Sequence, residues 1–167
     1  SEDHYDFWEE HIKYVVSEAL ALADEYDADK EIVELGALLH DIALIKKLRE
    51  RKDHHINGEK LAKEILMRHG YVGEKSEQVL ACVRNHRSSK NASSIEEICV
   101  CDADILAHFD NIPMIFGGIH RQSLTGLNEV RKCLRESFEK DYNDLSERTK
   151  ITFSDRYQLI CEIVIGK

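Results

Sequence analysis

Hydrophobic residues recur every three or four positions along most of this chain, which is the spacing of an amphipathic α-helix. Over about residues 6–25 they form one apolar stripe, made of Ile12, Val15, Val16, Ala19, Leu20 and Ala23. The sequence contains one proline and eight glycines, so few residues interrupt helices. No segment sustains the alternation of apolar and polar residues that is typical of strands. The pattern therefore predicts an all-α fold.

Helix-capping residues and glycines give approximate limits to the later helices. Asp27 or Asp29 can cap a second helix that runs to about residue 48. Ser93 or Ser94 can open another helix with a capping box, because a glutamate follows three residues later. That helix is predicted over about 95–108, and the remaining helices are predicted over about 54–69, 75–87, 126–142 and 151–165.

One stretch lacks a clear helical pattern. Residues 109–125 contain the single proline, Pro113, together with Gly117 and Gly118. These residue types favour turns, so the stretch is predicted to be a long loop or lid. No linker long enough to separate domains is visible, and residues 1–167 are expected to form one compact helical domain.

The balance of charges excludes some classes of partner. Lys and Arg total 23 against 32 Asp and Glu, which gives a net charge of −9. This charge argues against binding to nucleic-acid duplexes or anionic membranes, and no apolar run approaches the ~18 residues of a membrane-spanning helix. The five cysteines show no disulfide framework, which favours the reducing cytoplasm. Cys99 and Cys101 would diverge on a helix, so they make a weak metal site.

Two ionisable residues, His40 and Asp41, stand inside an otherwise apolar segment that predicts a buried helix. Burial of an unpaired carboxylate is costly, so Asp41 needs a cation or several hydrogen bonds. Neighbouring side chains on a helix point ~100° apart, so both can reach one ion only if it lies at the flank between them. Further ligands must then come from other helices.

Histidine is unusually frequent in this chain, with nine residues. Four other predicted helices each present an imidazole or a carboxylate on the apolar side, and these residues are His11, His54, His86 and Asp104. Helical phase does not separate His54 from His55, and Asp102 is likewise an alternative to Asp104. The sequence thus predicts a buried site of imidazoles and carboxylates drawn from five helices.

The order His11, His40-Asp41, Asp104 resembles the signature of the HD superfamily of metal-dependent phosphohydrolases. The surrounding segments HIKYVVSEALALA, ELGALLHDIA and DADILAHFD are similar to helices of that family. HHINGEKLA has the His-x-x-x-Gly spacing of HD-type cyclic-dinucleotide phosphodiesterases, and VRNHRSS resembles a segment of bacterial HD-type diadenosine tetraphosphate hydrolases. The resemblance implies an HD-like bundle, with metal-binding helices over about 7–108 and C-terminal helices over about 126–165 completing it.

The resemblance also chooses between the alternatives that helical phase leaves open. The glycine spacing selects His54, which precedes Gly58 by four residues. The family's Ala-Asp pair, followed by a large residue and then leucine or isoleucine, selects Asp104. His108 lies one turn after Asp104 and is expected either to support that ligand or to lie at an exposed helix end.

The resemblance implies a site for one or two divalent transition-metal ions. The first ion would take His11, His40, Asp41 and Asp104, and the second would take His54, His86 and the other oxygen of a bridging Asp41. Imidazoles with carboxylates suit Mn²⁺, Fe, Co²⁺, Ni²⁺ or Zn²⁺ better than Ca²⁺ or Mg²⁺. Two such ions can share a water and lower its pKa.

The function expected from this site is a phosphohydrolase that attacks a phosphoester or phosphoanhydride with metal-activated water, with Asp41 as the central catalytic residue. Its partner is expected to be a small phosphorylated molecule, a nucleotide. The family's Gly-Tyr-Pro motif is missing, which argues against cyclic dinucleotides. Candidate groups for binding the substrate are Arg87, Lys90 and His55, with Lys46, Lys47 and Arg121 as further nearby cations. The alternatives are an HD-type di-iron oxygenase and a nonenzymatic nucleotide-binding module.

Overall fold

The computed structural model describes residues 6–46, 51–121 and 126–166, which contain helices and no strand. The all-α prediction is confirmed. A π-helical turn, Trp8–Ile12, leads into the first α-helix, and short 3₁₀ turns lie at Arg51–Asp53 and Ser89–Asn91. The α-helices are α1 Lys13–Tyr26, α2 Lys30–Leu39, α3 Ile42–Ile45, α4 His54–Arg68, α5 Glu74–Asn85, α6 Ile95–Asp110, α7 Ile112–Arg121, α8 Leu127–Asp144 and α9 Glu147–Val164.

Helix α6 lies at the centre of the bundle. It packs along α1 and also contacts α2, α5, α7 and α8. Its residues from Cys99 to Ala103 are buried one after another, which requires neighbours on every side of the helix. The small side chains of this segment allow the neighbouring helices to pack closely around it. A polar residue on α6 is therefore either paired within the protein or part of a site.

The helix caps decide two choices that the sequence left open. The Asp29 carboxylate caps α2 by accepting the backbone N–H groups of Glu31 and Ile32 at 3.0 and 3.3 Å. Asp27 instead ends α1 in the left-handed region, with φ of 56°. The Ser94 hydroxyl caps α6 by accepting the N–H of Glu97 at 3.3 Å.

The second helix is shorter than predicted. Helix α2 ends at Leu39, and Asp41 leaves the helical region with φ of −107° and ψ of 20°. A separate short helix, α3, follows at Ile42–Ile45. Apolar periodicity continues across this break, which is why the sequence predicted one helix; residues 47 and 48 lie outside the described part.

The prediction of a loop over 109–125 is wrong for most of that stretch. Helix α6 extends to Asp110, and α7 occupies Ile112–Arg121. Pro113 stands in the first turn of α7, where a missing backbone N–H removes no helical hydrogen bond. Residues 122–125 lie outside the described part of the chain.

The last two helices have limits that differ from the predicted ones. Helix α8 ends at Asp144, and α9 begins at Glu147, four residues before the predicted start. The Ser146 hydroxyl accepts the N–H of Thr149 at 3.4 Å, so this serine caps α9. Among the described residues, no helix is both long enough and apolar enough to cross a membrane.

Gly36 allows α2 to approach α5 and α6. A Cβ atom added at Gly36 would lie 2.8 Å from Cys82 Cβ and 3.2 Å from Val100 Cγ2. We expect Gly36→Ala to lower the free energy of unfolding by about 1–3 kcal/mol because of this overlap. Urea unfolding measures the change, with Glu34→Ala on the exposed face of α2 as the control. An increase in stability, which the higher helix propensity of alanine would give by itself, would contradict the close contact.

Candidate metal centre

The first cluster of side chains joins the chain's N-terminal turn to α2 and α6. His11 Nε2 lies 3.2 Å from His40 Nε2 and 3.1 Å from Asp104 Oδ1. His40 Nε2 is 3.7 Å from the same Asp104 oxygen. The π-helical turn leaves the consecutive residues His11 and Ile12 both buried, and this turn presents the His11 ring to the centre.

The second cluster lies between the break after α2 and the helices α4 and α5. His54 Nε2 is 3.0 Å from His86 Nε2 and 3.1 Å from Asp41 Oδ1. His86 Nε2 is 3.6 Å from that oxygen. Gly58 brings α4 close to this break, because an added Cβ would contact the His40 carbonyl oxygen at 3.4 Å. The His-x-x-x-Gly spacing thus has a physical cause in helix packing.

Asp41 lies between the two clusters. Its Oδ2 is 3.6 Å from His40 Nε2 and 3.9 Å from His11 Nε2, whereas its Oδ1 faces His54 and His86. The helix break makes this arrangement possible, because the backbone of Asp41 is not helical and its side chain does not follow the ~100° rotation per residue of α2. One carboxylate therefore presents one oxygen to each group of histidines.

The backbone fixes the tautomers of two histidines. His40 Nδ1 lies 2.7 Å from the Ala37 carbonyl oxygen, and His86 Nδ1 lies 2.7 Å from the Val83 carbonyl oxygen. A carbonyl oxygen only accepts, so each Nδ1–H donates and a neutral ring keeps its lone pair on Nε2. Both Nε2 atoms point into the clusters, in the orientation that such hydrogen bonds give to metal ligands.

Burial and charge favour the deprotonated form at three of these residues, His40, Asp41 and Asp104. Burial lowers the pKa of His40. Burial alone would raise the pKa of the Asp104 carboxyl, but the hydrogen bond to His11 and the charge of His40 hold it below its ordinary value. The pKa of Asp41 is also lowered despite burial, by the charge of His40 and by hydrogen bonds from His54 and His86. Two carboxylates thus remain ionised inside the protein.

The pKa of His86 moves the other way. Burial lowers it, but the hydrogen bond to Asp41 and the nearby carboxylate charges outweigh burial and raise it. This histidine therefore holds a proton more readily beside Asp41. A cation bound at Nε2 would take the place of that proton, so binding at this cluster is expected to release protons.

The donor atoms fit divalent ions. Within the described part of the chain, two groups of three donors have all their ligand atoms within 4.8 Å of one another, and these groups are His11, His40, Asp104 and Asp41, His54, His86. Asp41 Oδ1 is also a buried atom that, among the described residues, has no aligned hydrogen-bond partner. Imidazole nitrogens with carboxylate oxygens suit first-row transition metals. Each cluster could hold one ion, with Asp41 between them.

Comparison with known proteins places this geometry in a family. The model of the HD domain family matches residues 8–108, which contain all six clustered residues. The chain belongs to the HD domain family. No curated protein matches it.

A solved structure supports the HD fold over nearly the whole chain. It is a predicted HD superfamily hydrolase from an uncultured Thermotogales bacterium, with 22% sequence identity and a TM-score of 0.64. The match covers 97% of this chain and 82% of that one. It therefore also includes α7 to α9, which the HD family model does not reach.

The hydrogen bonds of Asp102 place it outside the two clusters. The Asp102 carboxylate accepts the N–H of Ser146 at 2.9 Å and hydroxyl hydrogen bonds from Ser146 and Thr149 at 2.5 and 2.6 Å. These bonds tie α6 to the start of α9. Of the two aspartates that the sequence offered, Asp104 is the one beside His11.

The cysteines have other surroundings. Cys101 donates from Sγ to the Asn85 carbonyl oxygen at 3.2 Å, and burial raises the pKa of both the Cys99 and the Cys101 thiol. Neither belongs to a group of metal donors among the described residues.

Sequence reasoning missed one polar pair beside the first cluster. His108 Nδ1 lies 3.0 Å from Asp141 Oδ2 on α8, and the His108 and His11 rings are stacked with centroids 6.0 Å apart. His108 thus lies beside a candidate ligand and not at an isolated helix end. Nothing in the sequence pattern pointed to Asp141, because its partner is more than thirty residues away.

The structure places some of the candidate substrate-binding residues near the second cluster and others away from it. His55 and Arg87 line one groove beside the second cluster, together with Arg84. Lys90 is exposed in a 3₁₀ turn and is not among the described residues that line this groove. Lys46 is exposed after α3. Lys47 and the Arg121 side chain lie outside the described part of the chain.

Proposed function

We propose that this HD domain is a metal-dependent phosphohydrolase that acts on a phosphoester or phosphoanhydride of a small molecule, a nucleotide. The observation that carries the proposal is the position of Asp41, whose two oxygens face two separate clusters of histidines. A carboxylate in this position is suited to hold two cations close together. The hydrolase description of the Thermotogales protein agrees with this reading.

The residues of this chain would prepare the site in distinct ways. His11, His40 and Asp104 would hold one divalent transition-metal ion, and His54 and His86 would hold the other, with Asp41 shared. Such ions, when bound, lower the pKa of a water and polarise a phosphoryl oxygen. The hydrogen bonds from His40 and His86 to backbone carbonyls keep both Nε2 atoms directed inward, and a metal ion would displace the proton that His86 holds there.

The choice of a nucleotide rests on sequence resemblance. The segment that carries His86, VRNHRSS, is similar to a segment of HD-type diadenosine tetraphosphate hydrolases. The same six residues also match the set expected for a di-iron oxygenase of this fold. Oxygen dependence therefore separates the two functions.

The test measures metal content and hydrolysis on the same purified protein. Elemental analysis identifies bound metals, and a panel of nucleotides and phosphoesters is assayed with added Mn²⁺ or Co²⁺ with and without oxygen. We expect metal-stimulated release of phosphate or nucleotide that does not depend on oxygen and stops when a chelator is added. Absence of cleavage across the panel would refute the hydrolase. Bound iron with substrate-dependent oxygen consumption would identify the oxygenase instead.

A further inference from the structure

We infer that the groove beside the second cluster binds a second phosphate of the substrate, so that the protein prefers phosphoanhydrides to phosphomonoesters. This inference rests on the proposed function and names the class of substrate for the same site. It depends on where the groove lies, on the charge that it presents and on a buried ring nitrogen.

The groove lies beside the second cluster, because the residues that directly follow His54 and His86 line it. Its volume is about 410 Å³, and its lining residues are His55, Ile56, Arg84, Asn85, Arg87, Ser88 and Asn91. His55 directly follows His54, and their ring centroids are 5.7 Å apart. Arg87 directly follows His86 on the other wall. A substrate with one phosphoryl group at the second cluster can therefore place its next group in this groove.

Arg87 is the cation that this groove offers to an anion. One of its nitrogens, Nη1, donates to the Lys52 carbonyl oxygen at 3.0 Å, which directs the guanidinium across the space between the start of α4 and the end of α5. No carboxylate among the described residues forms an ion pair with it. A guanidinium has five N–H donors, and its planar fork matches the oxygens of a phosphate.

Arg84, the other arginine of the groove, is already engaged. Its Nη2 lies 2.9 Å from Glu59 Oε1, so a carboxylate balances its charge. Arg87, which lines the same groove, has no such carboxylate partner among the described residues. The contrast assigns anion recognition to Arg87 and leaves Arg84 with a mainly structural contact.

His55 gives a second indication that the groove binds a ligand. Its Nδ1 is buried and has no hydrogen-bond partner among the described residues. A buried polar atom without a partner lowers the stability of the fold unless a ligand or a water molecule forms a hydrogen bond with it. Because His55 and Arg87 line the same groove, one bound anion could satisfy both.

The geometry favours an anhydride because its second phosphate is joined to the first by a single oxygen. In the reaction, the water oxygen bonds to the phosphorus at the second cluster and the bond to the bridging oxygen breaks. The phosphate in the groove leaves with the bridging oxygen and its electron pair, and the protons of the water pass to products and solvent. A monoester has no second phosphate, so it places an uncharged group beside Arg87 and forms no ion pair with the guanidinium.

The test compares Arg87→Gln with the unchanged protein, both loaded with Mn²⁺. We expect KM for inorganic tripolyphosphate to rise about 10- to 100-fold, as for a lost charge-assisted hydrogen bond, while KM for p-nitrophenyl phosphate changes less than about twofold. Calorimetric titration with tripolyphosphate gives a readout that is independent of turnover. Arg68→Gln, an exposed arginine at the far end of α4, is the matched control.

The outcomes separate this inference from the proposed function. If Arg87→Gln raises KM for the monoester and for tripolyphosphate by the same factor, the groove has no role in selecting anhydrides. The same conclusion follows if only monoesters are cleaved. If nothing is hydrolysed but tripolyphosphate binding falls in Arg87→Gln and not in Arg68→Gln, the groove binds phosphates and the proposed activity is wrong. Circular dichroism of both variants checks that the exposed substitutions leave the fold intact.

Discussion

Asp41→Ala is expected to lose both metal ions and to reduce hydrolysis by more than about 100-fold. Loss of a residue that only supports a ligand typically costs 10- to 100-fold in affinity or activity, and a carboxylate that contacts both clusters should cost more. Elemental analysis measures the metal content per chain, and kcat on the best substrate of the panel measures the activity. Both losses should occur together.

The reason for losing both ions lies in the separate contacts of the two Asp41 oxygens. Oδ1 lies 3.1 Å from His54 Nε2, and Oδ2 lies 3.6 Å from His40 Nε2. Removing this carboxylate leaves each cluster with one donor fewer and places four imidazoles around a centre that has lost negative charge. Asp104 then provides the remaining carboxylate, and it contacts only the first cluster.

His86→Ala is the matched control for this prediction. His86 contacts Asp41 and His54 and belongs only to the second group of donors. We expect this variant to keep about one ion per chain while Asp41→Ala keeps none. Full metal content in Asp41→Ala, or equal loss in the two variants, would overturn the bridging position of Asp41.

Much of this centre could be predicted because helical phase and residue chemistry agree. His11 and His86 lie on apolar faces of helices, so their burial follows from the same periodicity that builds the core. The structure brings the six predicted residues together. It also places His54 and not His55 beside Asp41, a choice that depends on the approach of α4 at Gly58.

Other features depend on contacts between distant residues and could not be predicted. The break at Asp41 lies within a continuous apolar pattern, and α7 forms although Pro113, Gly117 and Gly118 are typical of loops. A proline in the first turn is compatible with a helix, so composition alone could not distinguish a helix from a loop in this stretch. The pairing of His108 with Asp141 likewise joins two helices that the sequence pattern leaves unrelated.

Asp102→Ala is expected to be strongly destabilising, whereas Asp104, two residues further on the same helix, is expected to matter mainly for metal binding. Its carboxylate accepts hydrogen bonds from the Ser146 N–H and from the hydroxyls of Ser146 and Thr149, and Thr149 Oγ1 is also 2.6 Å from the Tyr26 hydroxyl. Hydrogen bonds to a charged group contribute about 1.5–3 kcal/mol each, and buried donors without an acceptor carry a further cost. We expect the free energy of unfolding to fall by about 4 kcal/mol or more.

Asp104→Ala is the comparison that makes this prediction specific. Its carboxylate contacts His11 and His40 and is the more exposed of the two, with 22% of the side chain accessible. Urea unfolding in the presence of a chelator, which removes any stabilisation by bound metal, should show a much smaller loss for Asp104→Ala than for Asp102→Ala. Metal analysis should show the opposite order, because Asp102→Ala keeps every donor of the first cluster and Asp104→Ala removes one. If Asp102→Ala loses metal while it remains as stable as Asp104→Ala, Asp102 is the ligand and the buried network on α9 is not what holds this carboxylate.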